Sequence, residues 1–256
     1  MPAPRKPPAS TKSAKPPKAA RPQAAPPLPV YPPEQAPTDA AEQLMEAAER
    51  LFAELGVEHA PLRQVVAEAG QRNVSALHYH FGSRPELVAR MLERRLRLIN
   101  AMREQYVDRL VADGEERHPR ALARAIVEPL ARAIRETSWG PRYAQILAQA
   151  TLSPRALAEE NIPDEVISAL LRLRRMAVRA LPGLSGRALD ERLAWATESV
   201  VVALALMARD PVARLTPATL DNLIDFTAGA LVAPLSTAPA PASGPVSQRG
   251  IGRRFT

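Results

Sequence analysis

The feature that most constrains the fold is the stretch AGQRNVSALHYHFGSR, residues 69–84, which separates two segments whose apolar residues recur at helical spacing. Within it, Gly70 can end one helix and Asn73 can cap the next, which extends only to about His80. A helix of about two turns is marginal on its own, so neighbouring helices must hold it in place. A short polar helix on a rigid support is typical of a helix-turn-helix, in which the second helix enters the DNA major groove.

The segments on both sides of this stretch predict the supporting helices. Asp39 begins a capping-box pattern and predicts a first helix over about 39–55. Its apolar stripe consists of Leu44, Met45, Ala48, Leu51, Phe52 and Leu55. Pro61 suits the first turn of a second helix, and Ser83 is expected to cap a long fourth helix over about 84–112.

The rest of the chain has the same helical character, and no segment alternates as a strand would. Proline and glycine residues separate further helical segments at about 119–136, 139–151, 163–181, 187–209 and 216–233. The chain is therefore predicted to be all-α, with a three-helix DNA-binding head joined by the long fourth helix to a helical ligand-binding and dimerisation body. The expected divisions are a disordered Pro/Ala/Lys-rich tail, the helix-turn-helix domain, the body and a disordered basic tail, at residues 1–37, 38–85, 86–234 and 235–256.

The net charge of +7 belongs to the tails. Residues 1–36 contribute +5 and residues 237–256 contribute +3, which leaves 7 − 5 − 3 = −1 for the remainder. The basic composition is therefore no evidence that the folded part binds DNA. The N-terminal tail could add nonspecific phosphate contacts, or it could be a solubilising linker.

Several classes of protein are excluded or disfavoured by what the sequence lacks. Without cysteine there can be no disulfide and no cysteine-based zinc site. His78 and His80 lie on nearly opposite faces of a helix, so they do not predict a metal site. No enzyme or cofactor motif is present. The longest uncharged apolar run is Val200–Ala208, which is too short to span a membrane, and no secretory signal is evident. We expect a cytoplasmic, non-enzymatic protein without a cofactor.

The motifs LMEAAERLFAELGV, LRQVVAEAG and SALHYHFGSRPELV resemble the N-terminal domain of TetR-like (TetR/AcrR) transcriptional regulators, in a variant with a longer turn. The resemblance covers about residues 38–95. It implies a homodimer that binds double-stranded DNA at a palindromic operator and releases it when its body binds a small molecule. It also implies DNA-binding roles for Gln71, Arg72, Asn73, Val74, Ser75, His78, Tyr79 and Arg84. Of these, Val74, Ser75 and His78 match groove-facing positions, and Tyr79 and Arg84 match phosphate-contacting ones.

Two further groups of residues in the body are candidates for binding. Aromatic and methionine side chains that could line an effector pocket, or belong to an ordinary core, are Met102, Tyr106, Trp139, Tyr143, Met176 and Trp195. The segment Leu193–Ala208 is apolar over much of its circumference and must be buried on several sides. Either it is the central helix of the body, or it forms an intermolecular four-helix bundle with the last helix through Leu193, Thr197, Val200, Val201, Leu204, Leu223, Phe226 and Thr227.

The sequence therefore favours a sequence-specific, homodimeric repressor that a small-molecule effector releases from its operator. One alternative is an effector-independent DNA-binding repressor or architectural protein, which would have a fully packed body. The other is a helical protein-interaction adaptor, which would bind operator and random DNA equally.

Overall fold

The computed structural model describes residues 40–152 and 163–235, and these residues form helices and their connections, without a strand. The helices are α1 (Ala40–Leu55), α2 (Leu62–Glu68), α3 (Ser75–Phe81), α4 (Arg84–Ala112), α5 (Pro119–Glu136), α6 (Gly140–Leu152), α7 (Ser168–Ala180), α8 (Gly186–Met207), α9 (Pro211–Arg214) and α10 (Pro217–Val232). The all-α prediction is confirmed. The expected N-cap Asp39 and both expected tails, apart from Leu235, lie outside the described residues.

The first three helices pack around one small apolar centre. Leu44 and Phe52 of α1 are fully buried there, together with Val65 of α2. Leu77 and Phe81 are the buried residues of α3. Burying each such side chain contributes about 1.5–3 kcal/mol, which is how a helix too short to form alone is held in place.

The long helix α4 begins and ends where its sequence pattern predicts. At its start, the Ser83 hydroxyl oxygen accepts the backbone N–H of Glu86 at 3.4 Å, and Pro85 occupies the first turn. Its N-terminal part packs against α1 and α3, and its later turns pack against α5 and α7. This one helix therefore belongs to both the head and the body.

A buried ion pair and a hydrogen bond join the head to the body. The Arg95 guanidinium of α4 donates to the Glu49 carboxylate of α1 at 2.8 Å and 3.3 Å, and both side chains are almost inaccessible. The same guanidinium lies 4.8 Å from the ring centroid of Trp139, just before α6. The backbone N–H of Val57 donates to the Gln149 side chain of α6 at 2.8 Å. Helices α1, α4 and α6 thus meet at one polar junction.

The body is built around α5, which is buried along most of its length and packs against α4, α6, α7, α8 and α10. Helix α10 is tied to α5 by Arg120, which donates to Asp225 at 2.5 Å and to Asp221 at 2.9 Å. Helix α8 is tied to α10 by Arg192, which donates to the Leu231 carbonyl at 2.8 Å. Among the described residues, no helix is both long and apolar enough to span a membrane.

Candidate nucleic-acid interface and body cavity

Helix α3 buries one face and exposes the other. His78 and Tyr79 point away from the apolar centre, and 86% of the Tyr79 surface is accessible. A tyrosine this exposed contributes nothing to the core of the head, so its side chain is available to a partner. Helical spacing predicts this orientation for His78, whereas for Tyr79 it is implied by the resemblance of the motif.

Gly70 and Asn73 shape the turn before α3. Gly70 adopts a left-handed conformation, with φ of +69°, which favours glycine. The Asn73 side-chain oxygen accepts the backbone N–H of Ser75 at 3.0 Å, and Val74 between them has helical dihedral angles, so Asn73 caps the start of the helix as expected. Helix α3 begins at Ser75. Of the remaining expected contact residues in this region, Arg72 and Ser75 are exposed, whereas Gln71 and Val74 are partly buried.

The imidazole of His78 is held by the end of its own helix. Its Nδ1 lies 2.7 Å from the Gly82 carbonyl oxygen, which can only accept. Nδ1 therefore carries a proton, and in the neutral ring Nε2 is left as a free acceptor. The exposed side chain thus presents Nε2 outward in a fixed orientation.

Arg84, expected at a DNA phosphate, is engaged inside the head. Its guanidinium donates to the Val57 carbonyl and, at 2.8 Å, to the Ala60 carbonyl, both in the connection between α1 and α2. It also lies 5.6 Å from the ring centroid of Phe52. Partial burial lowers the pKa of Arg84, an effect opposed by the charge of Glu58. Two of its donors are therefore committed to holding the connection between the first two helices.

The body encloses a cavity of about 280 Å³ with mostly aliphatic walls. Helix α4 supplies one long wall, from Ala89 to Arg103, and α5, α6, α7 and α8 supply the others together with Pro163. The lining residues are Ala89, Leu92, Glu93, Leu96, Ile99, Arg103, Ile126, Leu130, Tyr143, Leu147, Thr151, Pro163, Leu170, Thr197, Val200 and Val201. Apolar walls with a few polar groups are typical of a small-molecule site.

The expected pocket residues are distributed differently from the sequence-based hypothesis. Tyr143 lines the cavity. Met102, Tyr106, Trp139 and Met176 are buried without being among its lining residues, and Trp195 is 61% exposed. The apolar pattern predicts the burial of all these side chains except Trp195, but it does not predict the direction in which each one points.

Arg103 is one of the many lining residues that the sequence-based pocket hypothesis did not include, and it carries a charge. It occupies a position in the apolar stripe of α4, between Ile99 and Tyr106, and only 5% of it is exposed. Its Nε donates to the Ala125 carbonyl at 3.2 Å, and its buried Nη1 has no hydrogen-bond partner. Burial lowers the pKa of Arg103 to about 10, an effect opposed by Tyr143 and Glu104, so the side chain remains protonated at neutral pH. A charge within an apolar stripe is the signal by which the sequence could have identified it.

The outer faces of α8 and α10 carry large apolar side chains. Trp195 and Leu206 are exposed on α8, and Phe226 is 64% exposed on α10. Of the residues expected at a dimer interface, Phe226 is therefore on the surface and Leu193 is half-buried. Thr197 is also half-buried, whereas Val200, Val201, Leu204, Leu223 and Thr227 are buried within the chain. Thr197, Val200 and Val201 line the cavity.

Within residues 40–152 and 163–235, no group of three or more histidine, aspartate or glutamate side chains is arranged to hold a metal ion. The described part of the chain thus presents two features for function. One is the exposed face of α3, and the other is the cavity beside α4.

Comparison with known proteins identifies the family. Residues 44–91 match the family model of bacterial regulatory proteins, tetR family, and residues 124–230 match the tetracyclin repressor-like C-terminal domain. No protein with curated annotation matches the chain significantly.

One solved structure shares the fold, and others match this chain over most of their length. A tetR family transcription regulator from Shewanella sp. PV-4 is 14% identical, with a TM-score of 0.53, over 74% of this chain and 96% of that one. A transcriptional regulator from Rhodococcus sp. Rha1 is 23% identical, with a TM-score of 0.44, over 75% and 96% of the two chains. NalD, the secondary repressor of the MexAB-OprM multidrug efflux pump in Pseudomonas aeruginosa, is 22% identical, with a TM-score of 0.46, over 76% and 96%. From the two family models, one covering the head and the other most of the body, this chain belongs to the tetR family of bacterial regulatory proteins and is a DNA-binding transcriptional regulator.

Proposed function

We propose that the chain is a homodimeric repressor that binds a palindromic operator and leaves it when a small molecule occupies the body cavity. The observation that carries the proposal is the double role of α4. This helix packs against α1 and α3 at its start and forms a long wall of the cavity further on. A ligand that repositions α4 therefore changes the orientation of α3 relative to DNA.

Helix α6 offers a second connection between the cavity and the head. Leu147 and Thr151 line the cavity, while Gln149 between them accepts the backbone N–H of Val57 at 2.8 Å. Two sites can be coupled through a packed helix whose position affects both of them. Helices α4 and α6 each contact the head and line the cavity. The cavity favours this function over the effector-independent alternative, for which a filled body is expected.

For DNA recognition, we assign base contact to His78 and phosphate contact to Arg72 and Tyr79. The outward Nε2 of His78 is an acceptor that suits an amino group of adenine or cytosine in the major groove. Arg72 and Tyr79 are exposed beside it, where phosphates position the head. We assign Arg84 a supporting role, because its guanidinium is held by the Val57 and Ala60 carbonyls.

For dimerisation, we propose the exposed faces of α8 and α10. These helices pack on each other, and their outer faces present Trp195, Leu206 and Phe226 to solvent. Large apolar side chains grouped on one surface are typical of an interface between subunits. A two-fold dimer would place its two α3 helices on successive half-sites of one operator. Because its proposed partner is chromosomal DNA, we assign the protein to the cytoplasm.

The test is selection of fragments from the source genome on the purified full-length protein, followed by affinity measurements at one fixed salt concentration. We expect enrichment of a sequence with two inverted half-sites, bound about 10³-fold or more tightly than random DNA. Equal affinity for selected and random fragments would instead support the adaptor alternative. Specific binding that no small molecule weakens would support the effector-independent repressor.

Replacing His78 with alanine is expected to weaken operator binding about tenfold and to leave binding to random DNA unchanged. The variant loses a contact with a base edge, which costs on the order of 1–2 kcal/mol. Fluorescence anisotropy with both DNAs measures the two affinities. His59→Ala is the matched control, because His59 is exposed beside Gly56 and close to the body helix α6. Equal losses on operator and random DNA would contradict a base contact.

Arg84→Ala is expected to destabilise the head by about 1–2 kcal/mol, because two carbonyl groups lose their donor. The dependence of DNA affinity on salt should remain as in the wild type. Arg72→Ala is the matched comparison: its stability should be unchanged, and the slope of log K against log salt should become shallower by about 0.9. Urea unfolding and salt titrations of DNA binding separate the two effects. A shallower slope for Arg84→Ala would restore this residue to the phosphate contacts.

A further inference from the structure

The cavity of the body combines apolar walls with one buried positive charge. Leu92, Leu96 and Ile99 form its wall on α4, and Arg103 ends that wall. The Arg103 guanidinium makes one hydrogen bond, through Nε, and its buried Nη1 is left without a partner. Within the described residues no carboxylate lies within ion-pair distance of it. An unpaired buried charge is costly, so a partner that supplies the missing negative charge gains binding energy here.

Neither nearby carboxylate is available to neutralise Arg103. Glu104, the next residue, accepts the Ser168 hydroxyl at 2.7 Å and forms an ion pair with Arg172. Glu93, also on the cavity wall, is paired with Arg97 at 2.6 Å. Glu104 shares Arg172 with Asp108, and Glu93 is paired with Arg97, so neither acid pairs directly with the Arg103 guanidinium.

The position of Arg103 also gives the cavity a direction. On α4 the lining residues extend from Ala89 to Arg103, which is about 21 Å along a helix. Glu93 lies near the partly exposed end and Arg103 at the buried end, because the Glu93 side chain is 34% exposed and Arg103 is nearly inaccessible. Tyr143 lines the cavity and interacts electrostatically with Arg103, and burial raises its pKa, so its hydroxyl keeps its proton and can donate. Donors are thus concentrated at the deep end.

We propose that the cavity binds an elongated organic monoanion, with its carboxylate on Arg103 and its apolar body along α4. This inference rests on the proposed function, whose effector it assigns to a chemical class. A cation would meet the like charge of Arg103, and a neutral molecule would leave that charge unpaired. Arg103 is the one positively charged residue among the described lining residues, so a second negative charge on the ligand would have no partner. With about 30 Å³ for each water-sized group, 280 Å³ corresponds to a ligand of about ten non-hydrogen atoms.

The test compares acids with their neutral amides, which have the same size and shape. Octanoate and octanamide form one pair, and 3-phenylpropanoate and 3-phenylpropanamide form the other. Calorimetric titration of the full-length protein at pH 7.5, without DNA, is expected to give at least one acid an affinity about 10- to 100-fold above that of its amide. In Arg103→Met this preference should fall to about threefold or less.

Arg90→Met is the matched control, because it removes an arginine from an exposed position of the same helix that does not line the cavity. It should keep the wild-type preference for the acid. If the wild type binds no acid more tightly than its amide, or if Arg103→Met keeps the preference, the proposal is overturned. Circular dichroism melting establishes whether Arg103→Met is folded. If Arg103→Met is unfolded, the comparison of acid with amide in the wild type still tests the proposal. Arg103→Lys, which keeps the positive charge, should then retain part of the preference for the acid.

Failure of this proposal can be distinguished from failure of the repressor function. If neither acid binds selectively but another compound releases the operator, the repressor function stands and the monoanion assignment fails. If no operator is found, the repressor function fails, whereas the Arg103-dependent preference for acids remains measurable because the titration contains no DNA.

Discussion

Replacing Glu49 with alanine is expected to lower the free energy of unfolding by about 3–5 kcal/mol. The Glu49 carboxylate and the Arg95 guanidinium form a bidentate pair, with distances of 2.8 Å and 3.3 Å. Both side chains are no more than 5% exposed, and the guanidinium also contacts the Trp139 ring. Without the carboxylate, Arg95 would remain buried beside apolar groups. Urea unfolding followed by circular dichroism measures the loss.

Two comparisons test the cause of this loss. Glu191→Ala removes an acid from an exposed pair with Arg187 and should change stability by at most about 0.5 kcal/mol. The double replacement of Glu49 and Arg95 by methionine should recover much of the stability, since neither charge is then buried. A loss below about 1 kcal/mol in Glu49→Ala would contradict a water-excluded pair at the junction of head and body.

The sequence predicts those features of the fold that depend on neighbouring residues. Helix α4 begins and ends as expected, because Ser83, Pro85 and a continuous apolar stripe are local signals. The start of α3 is likewise local, because the Asn73 side chain accepts the Ser75 N–H and so caps the helix at the position that its sequence indicates.

The candidate site is predictable only where its geometry is local. Helical spacing is sufficient to predict that His78 faces outward, whereas the role of Tyr79 follows from the family motif. The partners of Arg84, the carbonyls of Val57 and Ala60, lie 27 and 24 residues earlier in the chain, so no pattern around Arg84 indicates them. The same limit applies to the cavity, whose walls come from helices far apart in sequence.

The dimer surface shows this limit most clearly. A helix that is apolar all round has two faces, and its sequence does not tell which of them packs within the chain. In α8, Val200 and Leu204 are the buried face, whereas Trp195 and Leu206 are exposed. Substitution at Leu204, which is fully buried, would therefore test folding. A test of dimerisation needs substitutions on the outer face, where Trp195 and Leu206 are exposed.

The double variant Trp195→Glu/Phe226→Glu is expected to be a folded monomer whose operator affinity is about 10²- to 10⁴-fold below that of the wild type. Both side chains are more than half exposed, so the single chain tolerates glutamate at these positions. In the proposed dimer, the glutamates of the two subunits would repel each other. A monomer holds one half-site and loses the effective concentration that links the second head to DNA. Analytical ultracentrifugation and anisotropy measure the two effects.

Val212→Glu, at a 92% exposed position on α9 outside the proposed surface, should remain a dimer with wild-type affinity. A double variant that still sediments as a dimer would move the interface elsewhere, whereas a monomer with full operator affinity would mean that the two heads do not bind together.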